Sequence, residues 1–231
     1  MTCALRVGGM VPLTTLDYPD KLACVVFCQG CAWRCRYCHN PQLTSPRGQH
    51  ELPWEQVLAF LERRTGLLDA VVFSGGEATL QAQLPEAMAE VRQRGFSVGL
   101  HSAGIKPQAF ARALSAADWV GFDVKALAEE CAVITQVRGS GAVNWRSLDL
   151  LLASDVEYEC RTTVHWQLID PARLLILGQR LHERGVKRFV VQQVRSARML
   201  DASLPDDVQP EALAVLWGRL GELFPVFEVR S

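Results

Sequence analysis

Six short β-rich runs alternate along this 231-residue chain with segments patterned for helix, and that alternation restricts the fold more than any other feature. The strand candidates are Leu22–Phe27, Ala70–Ser74, Phe96–His101, Trp119–Val124, Glu157–Thr163 and Phe189–Gln192. Most are largely apolar, as expected of strands buried on both faces. Helical patterns fill the gaps at Pro53–Arg64, Leu84–Arg94, Pro107–Ala116, Trp145–Ala153 and Pro171–Arg184. Several open on proline, which the first helical turn tolerates, and Gly95 and Gly185 supply stop signals. Alternation of this kind means βαβ units on a parallel sheet. Six units are too few for a closed eight-fold barrel. The expected architecture is therefore α/β, an open, curved partial (βα)6 barrel, with a flat doubly wound sheet as the other option. One domain is expected, with an N-terminal segment at 1–20, a core at 21–193 and an extension at 194–231. Within the extension, Pro210–Leu220 reads as a last helix and Phe224–Val229 as a short strand or tail.

Composition narrows the function classes. A net charge of −1 gives no electrostatic case for nucleic-acid binding. No apolar run reaches the roughly 18 residues of a membrane helix, and no signal segment opens the chain, so a cytoplasmic protein is expected. Eight cysteines in that compartment are thiols or metal ligands rather than disulfides. Cys24 and Cys160 fall inside strands and read as core packing, whereas Cys3 and Cys131 are scattered.

The remaining cysteines are concentrated. Cys31-Ala-Trp-Arg-Cys35-Arg-Tyr-Cys38 follows the first strand directly, where ligands gather in parallel α/β folds. Three thiolates at C-x3-C-x2-C spacing can hold three corners of a cubane iron–sulfur cluster and leave the fourth iron open. Cys28 stands beside them, and four thiolates within eleven residues also match the ligand count of a closed zinc site. A C-x2-C redox pair is a further alternative. A second signal ends the next strand, where Ala70–Ser74 runs into Gly75-Gly76-Glu77. Glycines there let backbone approach a ligand closely.

Taken together, these motifs resemble the radical S-adenosylmethionine (SAM) superfamily. Gly9–Asp20, Val25–Phe27 with Gln29-Gly30, His39-Asn40-Pro41, Phe122–Lys125 and Tyr158–His165 extend the resemblance to the activating proteins of anaerobic ribonucleoside-triphosphate reductases, which are glycyl-radical-enzyme activases. The resemblance implies a [4Fe–4S] cluster on Cys31, Cys35 and Cys38, with Tyr37 beside the adenine of SAM. It implies that Gly75, Gly76 and Glu77 contact the methionyl amino group. Ser102, Asp123, Lys125 and Arg161 are the other candidate SAM contacts. For Asp123 and Lys125 a structural ion pair is an equal alternative, and Arg161 needs an anionic partner, for which SAM, Asp123 and Glu159 all qualify. The implied reaction is reductive cleavage of SAM and hydrogen abstraction from a partner's glycine. The implied partners are a glycyl-radical enzyme, with anaerobic ribonucleotide reductase preferred, and a one-electron donor such as flavodoxin or ferredoxin.

The chain departs from its relatives at Ala78-Thr79, after the Gly-Gly-Glu, and at His101-Ser102-Ala103, where an Asp-Thr-Asn-Gly-like run is usual. Both His101 and His165 read as satisfied, non-liganding histidines, and His39 as a residue that orients the cysteine loop. Asp17 and Tyr18 are open between packing over the cluster and meeting the partner, and Arg138–Gly141 between a surface turn and a partner loop. A small-molecule radical SAM synthase and a zinc-stabilised adaptor are the rival functions.

Overall fold

The computed structural model describes residues 5–194, 199–211 and 213–230; Cys3 lies outside them. Eight strands form one sheet in the order of the chain: β1 (Val7–Thr14), β2 (Ala23–Cys28), β3 (Ala70–Gly75), β4 (Ser97–Ser102), β5 (Trp119–Asp123), β6 (Glu157–Val164), β7 (Arg188–Gln193) and β8 (Val226–Arg230). The first pair is antiparallel and every later pair is parallel. Each new strand adds to the same edge, with no point at which the order reverses. That progression belongs to a barrel wall and excludes the doubly wound sheet, whose order turns back on itself. β1 and β8 are the two edges, so the wall stays open.

All six expected strands form, to within a residue or two at their ends, and the sheet is wider than the expected six by one strand on each side. β8 joins β7 in parallel register from Arg188↔Val226 to Gln192↔Arg230. β1 was concealed within the N-terminal segment because its sequence, Val-Gly-Gly-Met-Val-Pro-Leu-Thr, mixes two glycines and a proline into the apolar pattern. An edge strand tolerates both, and the register of β1 on β2 shifts twice along its length.

The connecting helices are α1 (Trp54–Glu62), α2 (Leu84–Gln93), α3 (Pro107–Leu114), α4 (Cys131–Thr135), α5 (Ser140–Leu152), α6 (Pro171–Glu183) and α7 (Leu213–Leu223). The stretch between Leu127 and Gly141 thus holds α4, and α5 begins five residues before the expected Trp145. Of Arg138-Gly-Ser-Gly141 the first two residues are a turn and the last two open α5: Gly139 is left-handed at φ 76°, and a Cβ on Gly141 would overlap the carbonyl of Ala128.

Alternation along the strands divides the side chains into two sets. Outward residues such as Val26, Phe73, Leu100, Phe122 and Phe189 pack under the helices in the main core, together with Cys24, Cys28 and Cys160. Cys131 is buried there as well. Inward residues Ala23, Val25, Ala70, Val72 and Trp119 form a smaller cluster capped by Tyr18, whose ring stacks on Trp119 at 5.0 Å. Tyr18 therefore plugs the inner face of the wall. Toward the C-terminal strand ends the inner face turns polar, through Ser74, His101, Asp123, Arg161 and Thr163.

Candidate active site

A cavity of about 220 Å³ opens at those strand ends. Its lining contains Cys31, Cys35, Cys38 and Tyr37 from the loop after β2, Gly75, Gly76 and Glu77 from the end of β3, Ser102 from β4, and Asp123, Lys125 and Arg161 beyond. Every candidate site residue read from the sequence meets here.

The cysteine loop is held from several sides. Arg34 and Arg36 donate their backbone N–H groups to the Thr135 and Ile134 carbonyls of α4, at 2.9 and 3.0 Å. Cys31 N–H reaches Thr44 O at 3.2 Å, and Trp33 is buried against Ala103 and Ile105. Burial pushes the Cys31 thiol up to about 12 and raises Cys35 as well. Cys28 is not part of this set. It is fully buried in the main core, away from the cavity, so the four-thiol closed site does not assemble. Among the described residues no three His, Cys, Asp or Glu side chains are gathered as a site for a single metal ion.

The two glycines are explained by the protein's own backbone. A Cβ on Gly75, at φ 113°, would overlap the backbone N and O of Cys28, and one on Gly76 would overlap the carbonyls of Gly30 and Leu43. Gly76 N–H donates to Cys28 O at 3.0 Å and Glu77 N–H to Gly30 O at 2.9 Å. The Gly-Gly turn is thus pressed onto the root of the cysteine loop. The Glu77 carboxylate is buried and accepts from Thr79 N (3.2 Å), Thr79 Oγ1 (2.6 Å), Ser102 Oγ (2.7 Å) and Ala103 N (3.0 Å). Burial raises its pKa, and these donors work in the other direction. Three residues of the departing runs, Thr79, Ser102 and Ala103, are therefore partners of Glu77.

Across the cavity, Asp123 accepts from Arg161 Nε (2.9 Å) and from Lys125 Nζ (3.0 Å). Burial pushes the Asp123 carboxyl up, but the guanidinium and the ammonium outweigh it and hold the group well below the usual carboxylate range. Two cations against one carboxylate leave positive charge for an anionic ligand group. The guanidinium also donates to Gly121 O at 3.2 Å and lies where a Cβ on that glycine would stand. Glu159 is not its partner: that carboxylate takes two bonds from Arg230, at 2.7 and 2.9 Å.

His101 donates from Nε2 to Asp17 O at 2.8 Å, and burial and then Arg161 lower its pKa. Asp17 and Tyr18 are thereby tied to the inner face of the barrel. His165 is buried and paired with Pro205 O (3.2 Å) and the Asp207 carboxylate (3.5 Å). Asn144 on α5 carried no sequence signal. Its amide bridges Ala103 O (2.7 Å) and Asp123 O (2.9 Å) and accepts from Lys125 N (3.2 Å), joining the ends of β4 and β5.

The donor set fits an iron–sulfur cluster with a bound zwitterion: three thiols open on one cavity, glycine backbone stands beside them, and positive charge faces them. The Tyr37 hydroxyl is buried, has no hydrogen-bond partner among the described residues, and belongs to a residue lining the same cavity.

Residues 25–166 match the radical SAM superfamily. The chain is 32% identical over 173 residues to MJ1227 of Methanocaldococcus jannaschii, provisionally named a glycyl-radical enzyme activating enzyme, covering 71% of this chain and 70% of that one. It is 33% identical over 125 residues to the pyruvate formate-lyase-activating enzyme of Clostridium pasteurianum, 52% of each chain. The fold is similar to that of Streptococcus suis SuiB, solved with S-adenosylmethionine, at TM-score 0.64 and 14% identity over 88% of this chain and 48% of that one. The chain thus spans about half the length of the last two proteins. With a match over more than half its length and every motif residue of the family lining one cavity, the chain belongs to the radical SAM superfamily, whose members work with a [4Fe–4S] cluster and SAM.

Proposed function

We propose that the protein is a radical SAM activase that installs a glycyl radical on a partner enzyme, with an anaerobic ribonucleotide reductase as the preferred partner. The observation that carries the reading is the convergence of Cys31, Cys35, Cys38, the Gly75-Gly76 turn and the Asp123–Arg161–Lys125 group on one cavity. Cys31, Cys35 and Cys38 would hold the cluster as thiolates. When bound, the cluster and SAM together supply one-electron cleavage to a 5′-deoxyadenosyl radical. Arg161 and Lys125 supply the charge that a methionyl carboxylate needs, and Asp123 keeps both in place. Backbone groups of the Gly-Gly turn stand at the cavity wall for the methionyl amino group. Tyr37 offers a buried hydroxyl donor.

The preference for a reductase rests on the motifs around Asp17–Pro19, His39–Pro41 and Tyr158–His165. Relatives named for pyruvate formate-lyase support a second target, a lyase of that kind. The test is anaerobic reconstitution, reduction with dithionite and addition of SAM together with either candidate partner. The expected result is 5′-deoxyadenosine and a glycyl-radical doublet on the reductase. A doublet on the lyase alone would move the assignment to the second target. SAM cleavage with neither doublet would sink the activase reading and favour a small-molecule substrate.

A further inference from the structure

Two shallow grooves lie on the outer side of the cysteine loop, one on each side of the exposed Ala32. One is floored by Trp33, Leu80, Ile105, Val137 and Val143 and rimmed by Lys106 and Arg138. The other runs from Ala32 and Leu80 to Arg6 and Pro46. Ala32 and Leu80 line both, so they form one continuous face. No aspartate or glutamate lines either groove among the described residues, although acidic residues outnumber basic ones in the chain, 25 to 24. Arg6 is paired with Glu51. Lys106 and Arg138 are exposed and have no acidic partner among the described residues, and Arg34 projects from the loop itself, donating to Cys31 O at 2.7 Å.

We propose that this face docks an acidic one-electron carrier protein, a reading that rests on the radical SAM function given above. The walls are what single it out. Trp33 and Ile105 form a layer shared by the first groove and the inner cavity, and Cys31 stands in the wall shared by the second groove and that cavity. An electron crosses such a layer, whereas a glycine Cα–H would have to reach the cavity itself. The face thus suits a donor of electrons and not the enzyme that is activated. The apolar floor gives contact area, and the unopposed cations select an acidic surface and speed its encounter. The exchange balances simply: the carrier is oxidised by one electron, the cluster is reduced by one, and no bond or proton changes hands at the interface.

The test compares reduced flavodoxin, an acidic carrier, with dithionite, which needs no docking face. In the reconstituted wild-type protein, cluster reduction by flavodoxin should slow as salt rises. Lys106→Glu/Arg138→Glu should slow it about tenfold or more at low salt, with Lys106→Met/Arg138→Met between the two. SAM cleavage driven by dithionite should be unchanged in both variants. An unchanged flavodoxin rate in the charge-reversed protein would overturn the proposal, and so would a wild type that accepts electrons from dithionite but not from flavodoxin. An equal loss with both reductants would overturn it too, by showing damage to the loop. Absence of SAM cleavage under dithionite in the wild type would instead overturn the underlying function.

Discussion

Arg36 and Asp201 are joined twice across 165 residues of chain: Asp201 N–H donates to Arg36 O at 2.9 Å, and Arg36 Nε donates to the Asp201 carboxylate at 2.7 Å. Arg36 stands between Cys35 and Tyr37, so the segment after β7 is fastened to the middle of the C-x2-C half of the site. Its far end is fastened to the turn after β6, where Trp166 N–H donates to Asp207 Oδ1 at 2.7 Å. Asp201→Ala should leave the barrel folded and loosen the cysteine loop. The expected result is several-fold faster loss of iron to a chelator, with the circular-dichroism spectrum unchanged. Equal rates in variant and wild type would remove the segment from the site.

The same carboxylate sets a pH window. Bonds from Ser203 and then Arg36 lower the Asp201 pKa to about 2, against about 3.9 in an unfolded chain. A group depressed in the folded state contributes fully above the unfolded value and loses that contribution as pH falls through the folded one. The Arg36–Asp201 link should hold steady from pH 9 to about 5 and weaken between about 4 and about 2. An NMR titration of the Asp201 carboxyl carbon checks it; a midpoint near 4 would show that the pair does not persist in solution.

Glu77 is predicted to be worth more to the fold than its place in a ligand motif suggests. Its two oxygens receive four donors, and Gln would turn one oxygen into a donor facing other donors. A buried unsatisfied donor costs about 1–3 kcal/mol. Glu77→Gln should therefore lower the denaturant midpoint of the metal-free protein and weaken SAM binding in the reconstituted one. Loss of SAM binding at unchanged stability would make Glu77 purely a ligand contact.

Gly75→Ala and Gly76→Ala should fail before any cofactor is added. Each new methyl would meet backbone, at Cys28 or at Gly30 and Leu43, and backbone cannot turn aside as a flexible side chain can. Overpacking of this kind costs about 1–3 kcal/mol, and the positive φ of Gly75 adds strain at that position. Gly9→Ala, with open space at its Cβ position, is the control that should fold normally. Denaturant unfolding of the metal-free variants reads all three.

Much of this was legible in the sequence because it is local. Strand runs such as Ala70–Gly75 carry their burial in consecutive residues, and Cys31–Cys38 and Gly75–Glu77 are contiguous motifs at strand ends. The remainder depends on partners far apart in the chain. Nothing around Asp201 points to Arg36, and nothing in α5 marks Asn144 as the bridge between two strand ends. β1 was hidden because an edge strand obeys looser rules than a central one. The choice between Asp123 and Glu159 as the partner of Arg161 turned on register: Asp123 lies directly opposite Arg161 in the β5–β6 ladder, while Glu159 is claimed by Arg230 from a strand that the pattern only half revealed.

Cys28 separates the cluster from a closed zinc site. Its thiol is fully buried among outward-facing core residues, and burial pushes its pKa up. Cys28→Ala removes one buried sulfur and should cost on the order of 1 kcal/mol of stability, leaving iron content per chain and the cluster's electron paramagnetic resonance signal as in the wild type. Cys31→Ala, Cys35→Ala and Cys38→Ala each remove a thiol that opens on the cavity, and each should lose the cluster while the metal-free fold persists. Zinc retained by the wild type and lost in Cys28→Ala would mean that the core opens to deliver the fourth thiolate, and the cavity would then be a by-product of a structural site. Iron and sulfide retained without Cys28 would leave three thiolates for four irons, and so an iron free to take a ligand from the cavity.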